Sequence, residues 1–200
     1  MSIKMIESLE NRNGIAGRVA PVAVLAVDAS PEGGGRTRSA VGAVSAAAGE
    51  LGAVLETIGL AEPDGPERVL RALAQAEAVV IGAPVYRATA AAPLKQLLDA
   101  IPRGAEERDS PLAAKPVVIV HTGASLHHFL ALDSLRSVLA GFFAAHVVSP
   151  GLYVPRAGFA DDGTLLEPYA SQARTQGAGL VELALALRAS TALSAVRPQA

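Results

Sequence analysis

Three short apolar runs decide what this chain can fold into: residues 22–27 (VAVLAV), 79–83 (VVIGA) and 116–120 (PVVIV). A strand with one wet face alternates apolar and polar residues. A continuous β-branched run belongs instead to a strand buried on both faces, as in a parallel sheet covered by helices. Each run is followed by residues at helical spacing. Over 37–51, Val41, Val44, Ala48 and Leu51 share one stripe that stops at Gly52. A helix is expected over 93–100, halted by Pro102, and another over 129–145 with Leu132, Leu135, Leu139 and Phe142 as its buried face. A less distinct strand at 53–58, a helix at 69–76, a fifth strand at 147–154 and a last helix over 168–187 complete the alternation. Regular β–α alternation with short links predicts an α/β chain with a doubly wound parallel sheet.

Composition narrows the chemistry. A chain of 200 residues that is 50% hydrophobic suits one buried core rather than two domains. The net charge is -2 with no Lys/Arg run, so there is no footprint for nucleic acid or an anionic membrane surface. With no cysteine, disulfides, thiolate metal sites and thiol nucleophiles are excluded, and redox chemistry needs a bound organic cofactor. Lys4, Glu7, Glu10, Arg12 and Arg18 break up the apolar core a signal peptide needs, so a cytoplasmic protein is expected. Residues 1–20 are read as an N-terminal tail, 21–189 as the domain and 190–200 as a C-terminal tail.

In a doubly wound sheet, ligands bind where the carboxyl ends of strands hand over to helices. The first such turn is ASPEGGGRTRS, residues 29–39. Gly33, Gly34 and Gly35 let backbone N–H groups converge, the following helix adds a positive N-terminus, and Ser30, Arg36 and Thr37 can donate to phosphate oxygens. A phosphate monoester fits; a solvated Gly-rich loop is the plain alternative. Neither GxGxxG nor a P-loop is written here. At the second turn, Pro84 follows the strand directly, and Val85, Tyr86 and Arg87 offer outward backbone groups. Small residues 88–92 leave space for a planar ring, although Tyr86 could equally cap the sheet with its hydroxyl in water. The third turn is HTGASLHH, residues 121–128, where Thr122, Gly123, Ala124 and Ser125 offer N–H donors with no bulky side chain between them. Such donors suit the pyrimidine side of a flavin, where reduction places negative charge.

These blocks, ASP…RTRS, then APVYRATAAAPLKQLLDAIP, LAAKPVVIVHTGASLHHFLALDSLRSVL and VVSPGLYV, resemble the NAD(P)H-dependent FMN reductase family, most of all the flavin reductases that serve luciferase-like and sulfonate monooxygenases. The resemblance runs from about residue 22 to about residue 165. It implies a flavodoxin-like three-layer sandwich with a five-stranded parallel sheet of order 2-1-3-4-5. It further implies that Ser30, Arg36 and Thr37 bind the FMN phosphate, that Pro84, Val85, Tyr86 and Arg87 contact the isoalloxazine, and that Thr122, Gly123, Ala124 and Ser125 line its other edge. NAD(P)H is then the hydride donor, a flavin-dependent monooxygenase a partner, and a homodimer or homotetramer the assembly. His128 and Asp133 also match family positions, with no catalytic step assigned. Two departures stand out: Gly35 replaces a usual Ser, and Glu32 lies near a usual Arg and is expected to face solvent.

Rival readings use the same residues. Residues 123–127 (GASLH) approach the nucleophile elbow G-x-S-x-G, with Asp133 and His146 following in hydrolase order, but the second glycine is missing. His121, His127 and His128 lack the spacing and the carboxylate of a metal site. A flavodoxin-type electron carrier would be more acidic and would sandwich the ring between aromatics, whereas a quinone or azo-dye reductase would use the same site with another acceptor.

Overall fold

The computed structural model describes residues 20–102 and 110–198; the expected N-terminal tail lies, but for Ala20, outside them. The chain runs β1 (Ala23–Asp28), α1 (Gly35–Glu50), β2 (Val54–Gly59), α2 (Gly65–Gln75), β3 (Ala78–Tyr86), β4 (Thr89–Ala90) and α3 (Ala92–Ala100). Then come β5 (Pro116–Gly123), α4 (Ala131–Arg136), β6 (His146–Val147), β7 (Leu152–Pro155), α5 (Tyr169–Ala189) and α6 (Thr191–Ser194). The sheet is ordered β2-β1-β3-β5-β6, with β7 also on β5 and β4 on β3. Apart from the short β3–β4 pair, every pairing is parallel. This is the 2-1-3-4-5 order expected, with the fifth strand delivered in two pieces.

Successive residues of each central strand enter opposite cores. Leu25, Val27, Ile81 and Ile119 pack with Leu94 and Leu139 on one face. Val24, Ala26, Val80 and Val118 pack with Val41, Val44 and Leu180 on the other. Each fully buried Leu, Ile or Val side chain contributes about 1.5–3 kcal/mol relative to exposure, which is why these runs carry no polar residue before their carboxyl ends. Two glycines set how closely α1 approaches. A Cβ on Gly82 would stand 2.1 Å from Val41 Cγ2, and one on Gly177 would stand 2.3 Å from the Val44 carbonyl oxygen. With β3 below and α5 alongside, α1 is clamped so that its N-terminus lies at the carboxyl edge of the sheet.

Three local features depart from the sequence reading. The strand expected over 147–154 splits, because Pro150 has no N–H to pair and Gly151 turns at φ +85°. The ladder on β5 therefore stops at Val117↔Val147 and resumes at Val120↔Leu152. Beyond α4, residues Ser137–Phe142 widen into a π-helical segment, with Phe143 N–H donating to the Val138 carbonyl at 3.2 Å. The extra residue rotates the face, so Phe143 is buried and Phe142 is 44% exposed, the reverse of what a 3.6-residue period predicts. Finally, the loop after β3 is a hairpin that pairs Val85 with Ala90 and Tyr86 with Thr89. Its two central residues, Arg87 (φ 51°) and Ala88 (φ 67°), both occupy the left-handed region. Without Asn-Gly or Asp-Gly the sequence gives no hairpin signal.

Candidate active site

The carboxyl end of β1 is organised by a buried carboxylate. Asp28 is fully enclosed and accepts Ser30 N–H at 3.1 Å, Ser30 Oγ–H at 2.5 Å and Gly34 N–H at 3.2 Å. Gly33 N–H closes the turn on the Ser30 carbonyl at 3.2 Å. Gly33, Gly34 and Gly35 have φ of 70°, 73° and 66°, so a side chain at any of them would strain the backbone. The helix that follows has no side-chain cap and no acidic residue in its first turn. Its first N–H groups lack intrahelical acceptors and face outward, the arrangement that receives anions.

Thr37, in the first turn of α1, is buried, and its Oγ1 lies 2.7 Å from Thr122 Oγ1 on β5. Thr122 is also opposite Pro84 in the β3–β5 register, so the start of α1 and the ends of β3 and β5 meet at one point. His121, the residue before it, points into the other core. Its Nδ1 lies 2.9 Å from the Ala83 carbonyl, which assigns the proton to Nδ1, while Nε2 is buried without a partner. Burial pushes its pKa down, outweighing the bond to Ala83, so the ring is neutral and acts as a strut between β3 and β5. Beyond it, Gly123 is compelled by Tyr153: a Cβ there would stand 2.0 Å from the phenol oxygen, which donates to the Ser125 carbonyl at 2.7 Å. Burial, with a smaller contribution from Tyr169, pushes the Tyr153 phenol up and keeps it a donor.

These edges enclose a cleft of about 560 Å³. Of the positions singled out in the sequence, Ser30, Arg36, Thr37, Pro84, Val85, Tyr86, Thr122, Gly123 and Ala124 line it. Arg87 and Ser125 do not. Arg87 stands at the tip of the hairpin beside Tyr86, and Ser125 Oγ pairs with His127 Nδ1 at 3.1 Å. Glu32 is exposed at the cleft wall, and Arg156 is a lining residue that the sequence reading missed. Arg156 directly follows β7, so the rule that ligands gather at carboxyl ends of strands would have found it had 152–155 been recognised as a separate strand. Neither Arg36 nor Arg156 has a carboxylate partner among the described residues, whereas Arg38, Arg68, Arg136, Arg174 and Arg188 each have one. Residues 88–92 do not line the cleft; two unpaired cations, an uncapped helix and the small Gly123 and Ala124 suit a phosphate joined to a flat ring.

The hydrolase arrangement is not assembled: Ser125 meets His127, while His146 Nε2 lies 3.1 Å from the Leu193 carbonyl, beside α6. His121 is enclosed, and His127 and His128 lie on a separate turn, Leu126–His128. No described helix is long and apolar enough to cross a membrane.

Comparison with known proteins bears on the same segment. The family model described as NADPH-dependent FMN reductase matches residues 22–158. The chain belongs to the NADPH-dependent FMN reductase family. All residues of the cleft, Arg156 included, fall inside the matched segment, and α5 falls outside it. The NADH-dependent FMN reductase SfnF of Pseudomonas fluorescens (strain Pf0-1) is 35% identical over 130 residues, covering 62% of this chain and 66% of that protein. The NADH-dependent FMN reductase SfnE of Pseudomonas putida is 32% identical over 117 residues, covering 56% of this chain and 60% of that protein. The chain thus spans between half and two thirds of the first of these curated relatives. Among solved structures, the apo form of the NADH:FMN oxidoreductase EMOB superposes with a TM-score of 0.71 at 22% identity, over 86% of this chain and 93% of that one. At that identity the likeness shows the shared flavodoxin-like fold.

Proposed function

We propose that this FMN reductase family member transfers hydride from NAD(P)H to FMN and hands the reduced flavin to a flavin-dependent monooxygenase in the cytoplasm. The observation that carries the reading is the cleft at the ends of β1, β3 and β5, with an uncapped helix N-terminus on one side and Gly123 and Ala124 on another. FMN, when bound, supplies the electron-accepting ring that takes hydride at N5. The N–H groups opening α1, with Arg36, Thr37 and Arg156, hold the phosphate. Backbone donors of Thr122, Gly123 and Ala124 face the pyrimidine edge, where they oppose negative charge gained on reduction. Pro84, Val85 and Tyr86 support the ring. Arg87 on its hairpin meets a nicotinamide-nucleotide phosphate, and Ser125, whose carbonyl accepts from Tyr153, holds the turn after β5 in place. Tyr86 is the aromatic on the cleft wall and is 57% exposed, which leaves a ring face accessible for a nicotinamide to stack.

The apolar side chains Leu126, Phe129, Leu130 and Phe142 are 44–61% exposed on the turn and helix that follow β5. A monomer has little reason to show such a group to water. This supports a homodimer or homotetramer built through that face. Stopped-flow mixing of FMN-loaded protein with NADH or NADPH tests the activity: rapid two-electron bleaching is expected. Reduction only through a separate reductase would show an electron carrier instead.

A further inference from the structure

The buried Asp28 carboxylate sits where an incoming phosphate would look for donors. Ser30 N–H, Ser30 Oγ–H and Gly34 N–H all point at it, and both Ser30 and Gly34 line the cleft. Positive-φ glycines turn successive N–H groups to one side to make an anion nest, and here one of its donors, Gly34 N–H, joins the two Ser30 donors in holding an anion from within the chain. Asp28 is fully buried, and among the described residues these donors, not a cation, are what it is bonded to. A phosphate arriving at Ser30 meets a hydroxyl whose proton is committed to Asp28 at 2.5 Å, with a second negative charge directly behind.

Resting on the flavin reading of this cleft, we propose that Asp28 is an affinity-setting residue that competes with the flavin phosphate as an internal anion. The phosphate then adds little to binding, FMN is taken and released as a substrate, and the site accepts riboflavin nearly as well as FMN. Arg36 and Arg156, on the cleft wall, offset part of the repulsion from the enclosed Asp28.

Titration of the full chain with FMN and with riboflavin, followed by flavin fluorescence, tests this without any variant: the two Kd values are expected within about tenfold of one another. Asp28→Asn keeps an acceptor for Ser30 and removes the charge; it is expected to tighten FMN about tenfold and to change riboflavin less than about threefold. A wild-type preference for FMN above about a hundredfold, or a folded Asp28→Asn chain that binds FMN more weakly, would overturn the proposal. Should Asp28→Asn fail to fold, the wild-type ratio decides alone. If wild-type protein binds neither flavin, the flavin reading falls and this inference with it; if it binds both but strongly prefers FMN, only the role of Asp28 falls.

Discussion

Thr37 Oγ1 and Thr122 Oγ1 lie 2.7 Å apart, and that single contact ties the first turn of α1 to the carboxyl end of β5. Both side chains are buried, so removing one hydroxyl leaves the other unsatisfied. Thr37→Val and Thr122→Val are each expected to lower stability by about 1–3 kcal/mol. The double variant should lose less than the sum, since no orphaned hydroxyl remains. Urea unfolding of the four proteins measures the coupling; strict additivity would mean that the contact does not exist in solution.

Arg156 is the cationic wall that sequence reading missed. Arg156→Ala is expected to weaken FMN binding several-fold, the loss of one charge-assisted contact being about 1 kcal/mol at a solvent-exposed site. Riboflavin, with no phosphate, should bind unchanged. Calorimetric titration with both flavins separates this from general damage, which would weaken the two alike.

How much of this was legible depends on the length scale of each signal. The strands were, because burial on both faces excludes polar residues from runs such as VAVLAV, and nine of the proposed ligand positions follow from where those runs end. Asp28 and Arg156 were not, for opposite reasons. Asp28 ends an apolar run and takes its meaning from donors up to six residues ahead, a loop closure no periodicity encodes. Arg156 follows a strand that Pro150 and Gly151 had detached from its neighbour. The exchange of Phe142 for Phe143 arises from one additional residue in a helical turn, which a fixed 3.6-residue period cannot register.

The hairpin beside Tyr86 stores strain that can be measured. Ala88 holds φ 67° in an exposed two-residue turn, where a Cβ is disfavoured and glycine is not. Ala88→Gly is expected to raise stability by about 0.5–1 kcal/mol, the relief of the left-handed penalty less the entropy glycine adds to the unfolded chain. Thermal unfolding would show a higher Tm; a fall would mean that the turn is not formed.

Glu77 anchors α5 to the start of β1. It accepts Arg188 Nε at 2.7 Å and Ala23 N–H at 3.1 Å, and Arg188 also reaches the Ala20 and Pro21 carbonyls. The Arg188 guanidinium holds the Glu77 carboxyl below its ordinary value of 4.5, outweighing burial, with the Ala23 N–H adding to the effect. A lowered carboxylate pKa favours the folded state above the ordinary value, and the contribution is lost as pH falls through the lowered folded value. Glu77→Gln should therefore remove part of the acid sensitivity below about pH 4.5 while leaving the slope near neutrality alone. Denaturant unfolding at stepped pH checks this, and an unchanged acid slope would exclude Glu77 as a contributor.

The central claim is that the ends of β1, β3 and β5 together form a flavin site. Calorimetric titration of FMN into the folded chain, with Arg36→Ala alongside, tests it most directly. Saturable binding at one FMN per chain, weakened in the variant, is the predicted result; no heat of binding to well-folded wild-type protein would contradict the account.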